Sequence, residues 1–356
     1  MKNRVLVINP GSTSTKIAVY DDNDVLFEES LRHKNETLAN YKSVIEQYEF
    51  RKTAVIEAMD KQGICLESLT AIVGRGGFLK PLKGGTYRLE EKLFLDLKDG
   101  AIRKNHASNL AGMIAYELGN QLGIPGFIVD PPCVDEMMDI AKVTGLHSIE
   151  RVSLFHALNQ KAVGRIVAEK KGKDYFDCNF IVAHIGGGIS VGAHLKGSVI
   201  DVNNALDGDG PLSPERAGAI PNCDLINLCF SGEYTKSEVK KKLVGKGGLV
   251  SHLNMNDLRD VEQLIKDGNK DAELVYEAMA YQISKEIGAA AAVLEGNIDG
   301  IIITGGIAYS KNFVSLIKRR VSFLGDVVVI PGEDELNALV QGGLRVLNGI
   351  EEAMIY

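Results

Sequence analysis

The chain opens on two apolar, β-branched runs, residues 5–8 and 17–20, set around Asn9-Pro10-Gly11-Ser12-Thr13-Ser14-Thr15-Lys16. Such runs on either side of a Pro-Gly turn predict a β-hairpin. Asp21-Asp22-Asn23-Asp24 predicts a second turn and residues 25–31 a third strand. Leu38, Tyr41, Ile45, Tyr48, Val55, Ile56 and Met59 then recur at roughly helical spacing up to Gly63, which predicts helix. Ala71-Ile72-Val73 is a short buried strand running into Gly74-Arg75-Gly76-Gly77, and Pro81 with Gly84-Gly85 marks an irregular surface loop. His106 stands just before a helix over 110–122, which Gly123-Ile124-Pro125 closes. Residues 126–129 form another strand, ending on Asp130 before Pro131-Pro132, and that double proline predicts an exposed carboxylate. An amphipathic helix over 154–171 leads to the expected domain boundary.

The second half of the chain repeats the opening. Residues 179–184 are a strand, Ile185-Gly186-Gly187-Gly188 a turn, 189–195 a strand, Lys196-Gly197 a turn and 198–202 a strand. Asn9 precedes Asp21 by twelve positions, and His184 precedes Lys196 by the same twelve, the register of an internal duplication. The expected domains are therefore 1–175 and 176–356, with the last helix a candidate to pack back on the first. Residues 207–221 are too rich in Gly and Pro for regular structure and predict a long functional loop. Helices come next over 262–266 and 272–294. Two more strands, 301–303 and 327–330, end in Thr304-Gly305-Gly306-Ile307 and in Pro331-Gly332-Glu333-Asp334-Glu335, before a final helix over 336–347.

Length and composition narrow the class. A chain of 356 residues suits two cores rather than one. The net charge of −7, with both signs interspersed and no basic stripe, argues against nucleic acid as a partner. The first apolar run is too short for a secretory segment or a membrane span, so a soluble cytoplasmic protein is expected. Five scattered cysteines without a Cys-x-x-Cys pair fit reduced thiols rather than disulfides or zinc.

Asn9, Arg75, Asp130, His184, Gly305-Gly306 and Asp334 all fall just after an apolar strand. Taken singly, the histidines read as hydrogen-bonded structural residues, Asp130 as a cap and Arg75 as a surface cation. Together they point to one cleft at the strand ends of an α/β protein. Glycines at 11 and at 186–188 let backbone approach a polyphosphate, yet no Gly-Lys-Ser/Thr occurs and neither turn has the dinucleotide G-x-G-x-x-G spacing. Carboxylates at Asp130 and Asp334 could hold Mg²⁺.

These stretches, with His106-Ala107-Ser108-Asn109-Leu110, Val129-Asp130-Pro131, His184-Ile185-Gly186-Gly187-Gly188-Ile189-Ser190 and Glu215-Arg216-Ala217-Gly218, resemble the acetokinase family of carboxylate kinases, in particular its butyrate kinase branch. The resemblance covers nearly the whole length. It implies two similar α/β domains of duplicated ribonuclease H-like (actin-like ATPase) topology flanking a cleft, and ATP-dependent phosphorylation of a short-chain fatty acid, with a homo-oligomeric assembly. It also implies roles: Arg216 and His184 neutralise the transferring phosphoryl, His106 lies near that group, and Asp130 is the active-site aspartate. Asn9, Ser12, Ser14 and Lys16 match the first phosphate turn, Gly186, Gly187 and Gly188 the second, and Gly305 and Gly306 the adenosine-binding element. Asp334 or Glu335 matches an acidic residue associated with Mg²⁺. Acetate kinases carry their substrate arginine in Arg-x-x-His-Gly-Gly, whereas Arg75 stands three places later in Ile72-Val73-Gly74-Arg75-Gly76-Gly77. The second turn is Gly-Gly-Gly where acetate kinases have an Asn between glycines. The first departure argues against acetate as the preferred acid, and the second removes one side-chain partner.

Overall fold

The computed structural model describes residues 2–100 and 106–356. The chain divides into two compact units, Met1–Asp135 with Asp334–Tyr356, and Glu136–Glu333.

The first unit is built on strands β1 (Arg4–Pro10), β2 (Ser14–Asp21), β3 (Asp24–Arg32), β4 (Ala71–Arg75), β5 (Thr86–Arg88) and β6 (Gly126–Val129), in the order β3-β2-β1-β4-β6-β5. The first three form an antiparallel meander, while β4 and β6 lie parallel to β1. Side chains alternate across a strand, and successive residues of β4 accordingly meet different helices. A Cβ on Gly74 would lie 2.6 Å from the Ala111 carbonyl of the helix Ser108–Leu122. A Cβ on Gly343, in the helix Glu335–Leu347, would touch Val73 instead. The two helices thus cover opposite faces.

The second unit holds β7 (Asn179–Ile185), β8 (Ile189–Leu195), β9 (Ser198–Val202), β10 (Gly300–Gly305) and β11 (Val327–Pro331), in the order β11-β10-β7-β8-β9. Again three strands form an antiparallel meander and two more run parallel to its first member. Read from the third strand, both sheets have the order third, second, first, then parallel strands. Phe180 and Val182 of β7 cluster with Val163, Val167 and Ala168 of the helix Ala157–Lys170. Ile181, Ala183 and Ile185 face the other core with Met279, Ile283 and Ile287 of the helix Lys270–Val293.

This division differs from the boundary expected at 175/176. Residues 136–175 go with the second sheet, through the Val163, Val167 and Ala168 cluster. The helix Glu335–Leu347 packs on β1, β4 and β6. Three local expectations also change. The helix expected across 38–59 is broken into Asn35–Leu38, a 3-10 turn Ile45–Gln47 and a helix Tyr48–Lys61. The loop near Gly84-Gly85 feeds the short strand β5, which pairs with β6. Asp130 is buried, 4 % exposed, because Pro131 packs tightly beneath Gly76. All five cysteines are free thiols, and among the described residues no helix is long and apolar enough to cross a membrane.

Candidate active site

In the first unit, strand register brings the candidate residues to one sheet edge. Ile8 pairs with Gly74 and Arg75 with Val129, so Asn9, Arg75 and Asp130 end three adjacent parallel strands. Glu335, the first residue of its helix, joins two of them. One carboxylate oxygen takes the amide of Asn9 at 2.6 Å, and the other is ion-paired with the Arg75 guanidinium. Asp130 adopts φ 38°, a left-handed conformation rare for a residue with a side chain. A reciprocal pair holds it: its backbone N–H donates to the Gly85 carbonyl at 3.0 Å, and its Oδ1 accepts from the Gly85 N–H at 2.7 Å. Asp334, exposed, caps the same helix as Glu335 opens by accepting from the Asn337 N–H at 3.3 Å. His106 stands two residues ahead of its helix, with Nδ1 2.7 Å from the Ser108 hydroxyl and its ring edge-on to Phe78.

The β1–β2 turn is held from inside by a residue the sequence pattern does not single out. Arg51, fully buried on the helix Tyr48–Lys61, donates to the carbonyls of Gly11 at 2.8 Å, Ser14 at 2.9 Å and Ser12 at 2.8 Å. Its other bonds reach Thr15 Oγ1 and Gln47. The Thr13 carbonyl accepts from the His33 N–H at 2.9 Å. Each carbonyl from Gly11 to Ser14 therefore points to an internal donor. Among the described residues the Ser12 and Thr13 N–H groups have no acceptor, and Ser12 and Thr13 are exposed, Ser14 partly so. A turn with its carbonyls drawn inward presents N–H and hydroxyl donors outward, as an anion cradle requires. Burial pulls Arg51 down to about 10, still charged at neutral pH. Burial, with Arg51 close by, pulls His33 down to about 4 and keeps it neutral.

In the second unit, His184 pairs across β7 and β10 with Thr304, and Gly305 pairs with Pro331 of β11. His184 is buried on the face toward the helix Ala157–Lys170. Its Nδ1 meets Asn159 Oδ1 at 2.7 Å and its Nε2 meets Glu333 at 3.0 Å. The His156 ring lies parallel to it, 3.7 Å away and 7° inclined, fixed by the Ser190 hydroxyl at 2.8 Å. A Cβ on Gly305 (φ 90°) would strike the Ile185 backbone, 2.8 Å from its carbonyl carbon, so glycine lets β10 close on β7. Gly306 is exposed with open space beside it.

Arg216 lies directly over the second turn. A Cβ on Gly188 would sit 2.6 Å from the Arg216 Cζ, and one on Gly187 would sit 3.6 Å from Glu215 Oε2. The Gly186 N–H bonds the Gly188 carbonyl at 3.1 Å, while the Gly187 carbonyl accepts from Ser213 Oγ at 2.7 Å. The loop is anchored by backbone bonds. Ala217 N–H bonds the Leu243 carbonyl, Gly245 N–H the Glu215 carbonyl, and Leu249 N–H the Ser213 carbonyl. The Arg216 Nε is buried without a hydrogen-bond partner. Desolvation lowers its pKa, opposed by Glu215 and Asp207.

Within the first unit the structure therefore gathers Asn9, Arg75 and Glu335, with Asp130 on the next strand, and exposes Ser12 and Lys16 on the β1–β2 hairpin. Within the second it gathers His184, Gly186, Gly187, Gly188 and Arg216, with Gly305 on the adjacent strand. Arg51, His156, Asn159 and Glu333 are not singled out by the sequence. The acidic run Glu333-Asp334-Glu335 is the one sequence signal that touches any of them.

A sequence model of the Acetokinase family matches residues 138–347, more than half of the chain, and the protein belongs to that family. Solved structures agree on the fold. An acetate kinase from Porphyromonas gingivalis is 21 % identical with a TM-score of 0.77, covering 97 % of this chain and 100 % of its own. A propionate kinase from Francisella tularensis subsp. tularensis SCHU S4 is 20 % identical with a TM-score of 0.74, covering 96 % and 98 %. An acetate kinase from Entamoeba histolytica is 17 % identical with a TM-score of 0.75, covering 96 % and 99 %. The fold is the duplicated actin-like α/β architecture, and the family implies a carboxylate phosphotransferase using ATP or ADP.

Two substitutions test these contacts. Arg51→Met leaves the Gly11 and Ser12 carbonyls without a donor and Ser14 with only the Gly11 N–H, and is expected to cost about 3 kcal/mol or more in urea unfolding, together with weaker nucleotide binding by calorimetry. Gly188→Ala pushes Arg216 off the turn. It is expected to lower kcat by about a hundredfold or more while thermal unfolding shifts by only a few degrees.

Proposed function

We propose that the protein transfers the γ-phosphoryl group of ATP to the carboxylate of a short-chain fatty acid, with butyrate the preferred acid and isobutyrate next, giving an acyl phosphate and ADP reversibly. The observation that carries this reading is Arg216: a partly buried guanidinium seated on Gly188, its Nε buried without a hydrogen-bond partner. Desolvated cations are costly unless an anion completes them. The preference for butyrate over acetate draws on the position of Arg75.

The chemistry needs little from the protein beyond placement. A fatty acid has a pKa of about 4–5 and is already ionised at neutral pH, so no general base is needed. One carboxylate oxygen forms a bond to the γ-phosphorus, the bond from that phosphorus to the bridging oxygen breaks, and ADP leaves with the electron pair. No proton moves. Arg216 and His184 offset charge on the transferring group, Arg75 holds the acid, and His106 stands by the phosphoryl. The donors of Ser12, Ser14, Lys16 and the Gly186 to Gly188 turn take phosphate oxygens, and the Gly305-Gly306 turn receives the adenosine.

No group of three metal-binding side chains gathers among the described residues. Mg²⁺ takes one or two protein carboxylates and completes its shell with water and phosphate oxygens. Asp130 and Asp334 are the residues that would hold it, and bound Mg²⁺ would neutralise the phosphate charge. Glu335 is committed to Arg75 and Asn9.

The expected assembly is a homo-oligomer. Ile140, Val143, Leu146, Ile149 and Val152 are each 50 % or more exposed in one short segment, and apolar patches of that kind mark interaction surfaces.

Hydroxamate trapping with ATP, Mg²⁺ and acids from acetate to pentanoate is expected to give the highest kcat/KM with butyrate or isobutyrate; a maximum at acetate would overturn the acid preference. Arg216→Ala is expected to lose about 10³-fold in kcat with ATP affinity kept within about threefold, and a near-normal kcat would remove Arg216 from this role. Sedimentation is expected to show an oligomer that Ile140→Lys with Val143→Lys dissociates; a monomeric wild type would refute it.

A further inference from the structure

Arg75 and Asn9 end neighbouring strands, and both are already engaged by a carboxylate that the chain itself supplies. Glu335 Oε2 accepts from the Asn9 amide at 2.6 Å, and Oε1 is ion-paired with an Arg75 terminal nitrogen. The pair is largely withdrawn from solvent, with the Arg75 side chain 25 % exposed and that of Glu335 17 %. A guanidinium and an amide placed side by side, one for each oxygen, form a recognition set for a carboxylate in general. Nothing in that set distinguishes the carboxylate of Glu335 from that of a fatty acid.

We infer that Glu335 is an internal competitor of the acid substrate: it occupies Arg75 until the substrate carboxylate displaces it, and so sets the affinity for every acid alike. This rests on the reading of Arg75 as the acid-binding residue. The alternative assignment of Glu335 to the metal would leave Arg75 without its partner in the unliganded protein. Position favours release as well as capture. Glu335 opens a helix whose unpaired N–H groups favour a negative charge there, so the displaced carboxylate stays stabilised after it lets go of Arg75.

The competition acts on affinity and not on chain-length preference. Removing the charge of Glu335 frees Arg75 for every acid by the same factor, because the contested group is the carboxylate and not the alkyl chain. Glu335→Gln keeps the size of the side chain and can still accept from Asn9.

The test compares wild type, Glu335→Gln and Arg75→Ala. It measures butyrate binding by calorimetry without nucleotide, and KM for acetate, propionate, butyrate and isobutyrate. Glu335→Gln is expected to bind butyrate about tenfold tighter and to lower all four KM values by a common factor. Arg75→Ala is expected to weaken binding at least as strongly. If Arg75→Ala weakens binding while Glu335→Gln leaves it unchanged or weaker, Glu335 merely orients Arg75, and the inference falls while the proposed function stands. A higher Mg²⁺ requirement in Glu335→Gln without tighter butyrate binding makes it a metal ligand and likewise overturns the inference. If Arg75→Ala changes neither binding nor KM, the acid-binding role of Arg75 fails, and the inference with it.

Discussion

The structure turns on how cations are kept away from water at the ends of its strands. A polar or charged side chain taken from water demands partners, and four such side chains, Arg51, Arg75, His184 and Arg216, find different solutions. Arg51 is satisfied by backbone carbonyls of the first turn and by Gln47. Arg75 is met by Glu335 and His184 by Glu333. Arg216 is left with a buried Nε that nothing accepts from. The ordering is chemically sensible. Arg51 has a permanent structural task, and its acceptors are part of the fold. Arg75 and His184 have acceptors on a connecting segment, where a ligand anion could replace them. Arg216, over the exposed Gly187, has the strongest unmet demand for an anion.

The same logic accounts for the duplication. In each sheet the antiparallel meander presents a turn beside the first strand, and the parallel strands carry further polar residues to the same edge. A hairpin turn supplies N–H donors, and the adjacent strand ends supply side chains; neither alone provides both. The repeat has diverged in how the turn is supported. The first turn is fixed by a buried arginine beneath its carbonyls, the second by the Ser213 hydroxyl and by the loop of Arg216 lying over it. In one case the guanidinium is a strut. In the other it lies over the turn.

Local pattern is the part of this architecture that the sequence makes legible. Apolar runs bounded by turn or polar residues mark ten of the eleven strands among the described residues to within a few positions, β5 being the exception. Two kinds of feature stay hidden. The first is contact between distant positions: Asn9 and Glu335 are 326 residues apart, and an acidic run before a helix reads equally well as a cap. The second is a residue whose sequence neighbours say nothing of its task. Arg51 sits among Glu49, Phe50 and Lys52 as an ordinary helical arginine, and only its burial reveals the strut. Asp130 departs from its expected exposure for a related reason. The double proline does end the ladder, but it also packs inward, so the carboxylate is enclosed and pinned to Gly85.

The fixed loop around Arg216 bears on how catalysis would be achieved. An arginine that swings in must be ordered and desolvated during each turnover, and those costs subtract from stabilisation of the transition state. Here the loop is tied down by backbone bonds to the segments near Leu243 and Leu249, and the Arg216 Nε is already buried. Part of the desolvation has therefore been met on folding, and an anion arriving at Gly188 would meet a preorganised positive charge, the arrangement under which electrostatic stabilisation is large. Glycine at 188 is what permits this, since a Cβ there would lie 2.6 Å from the Arg216 Cζ and push the charge off the turn.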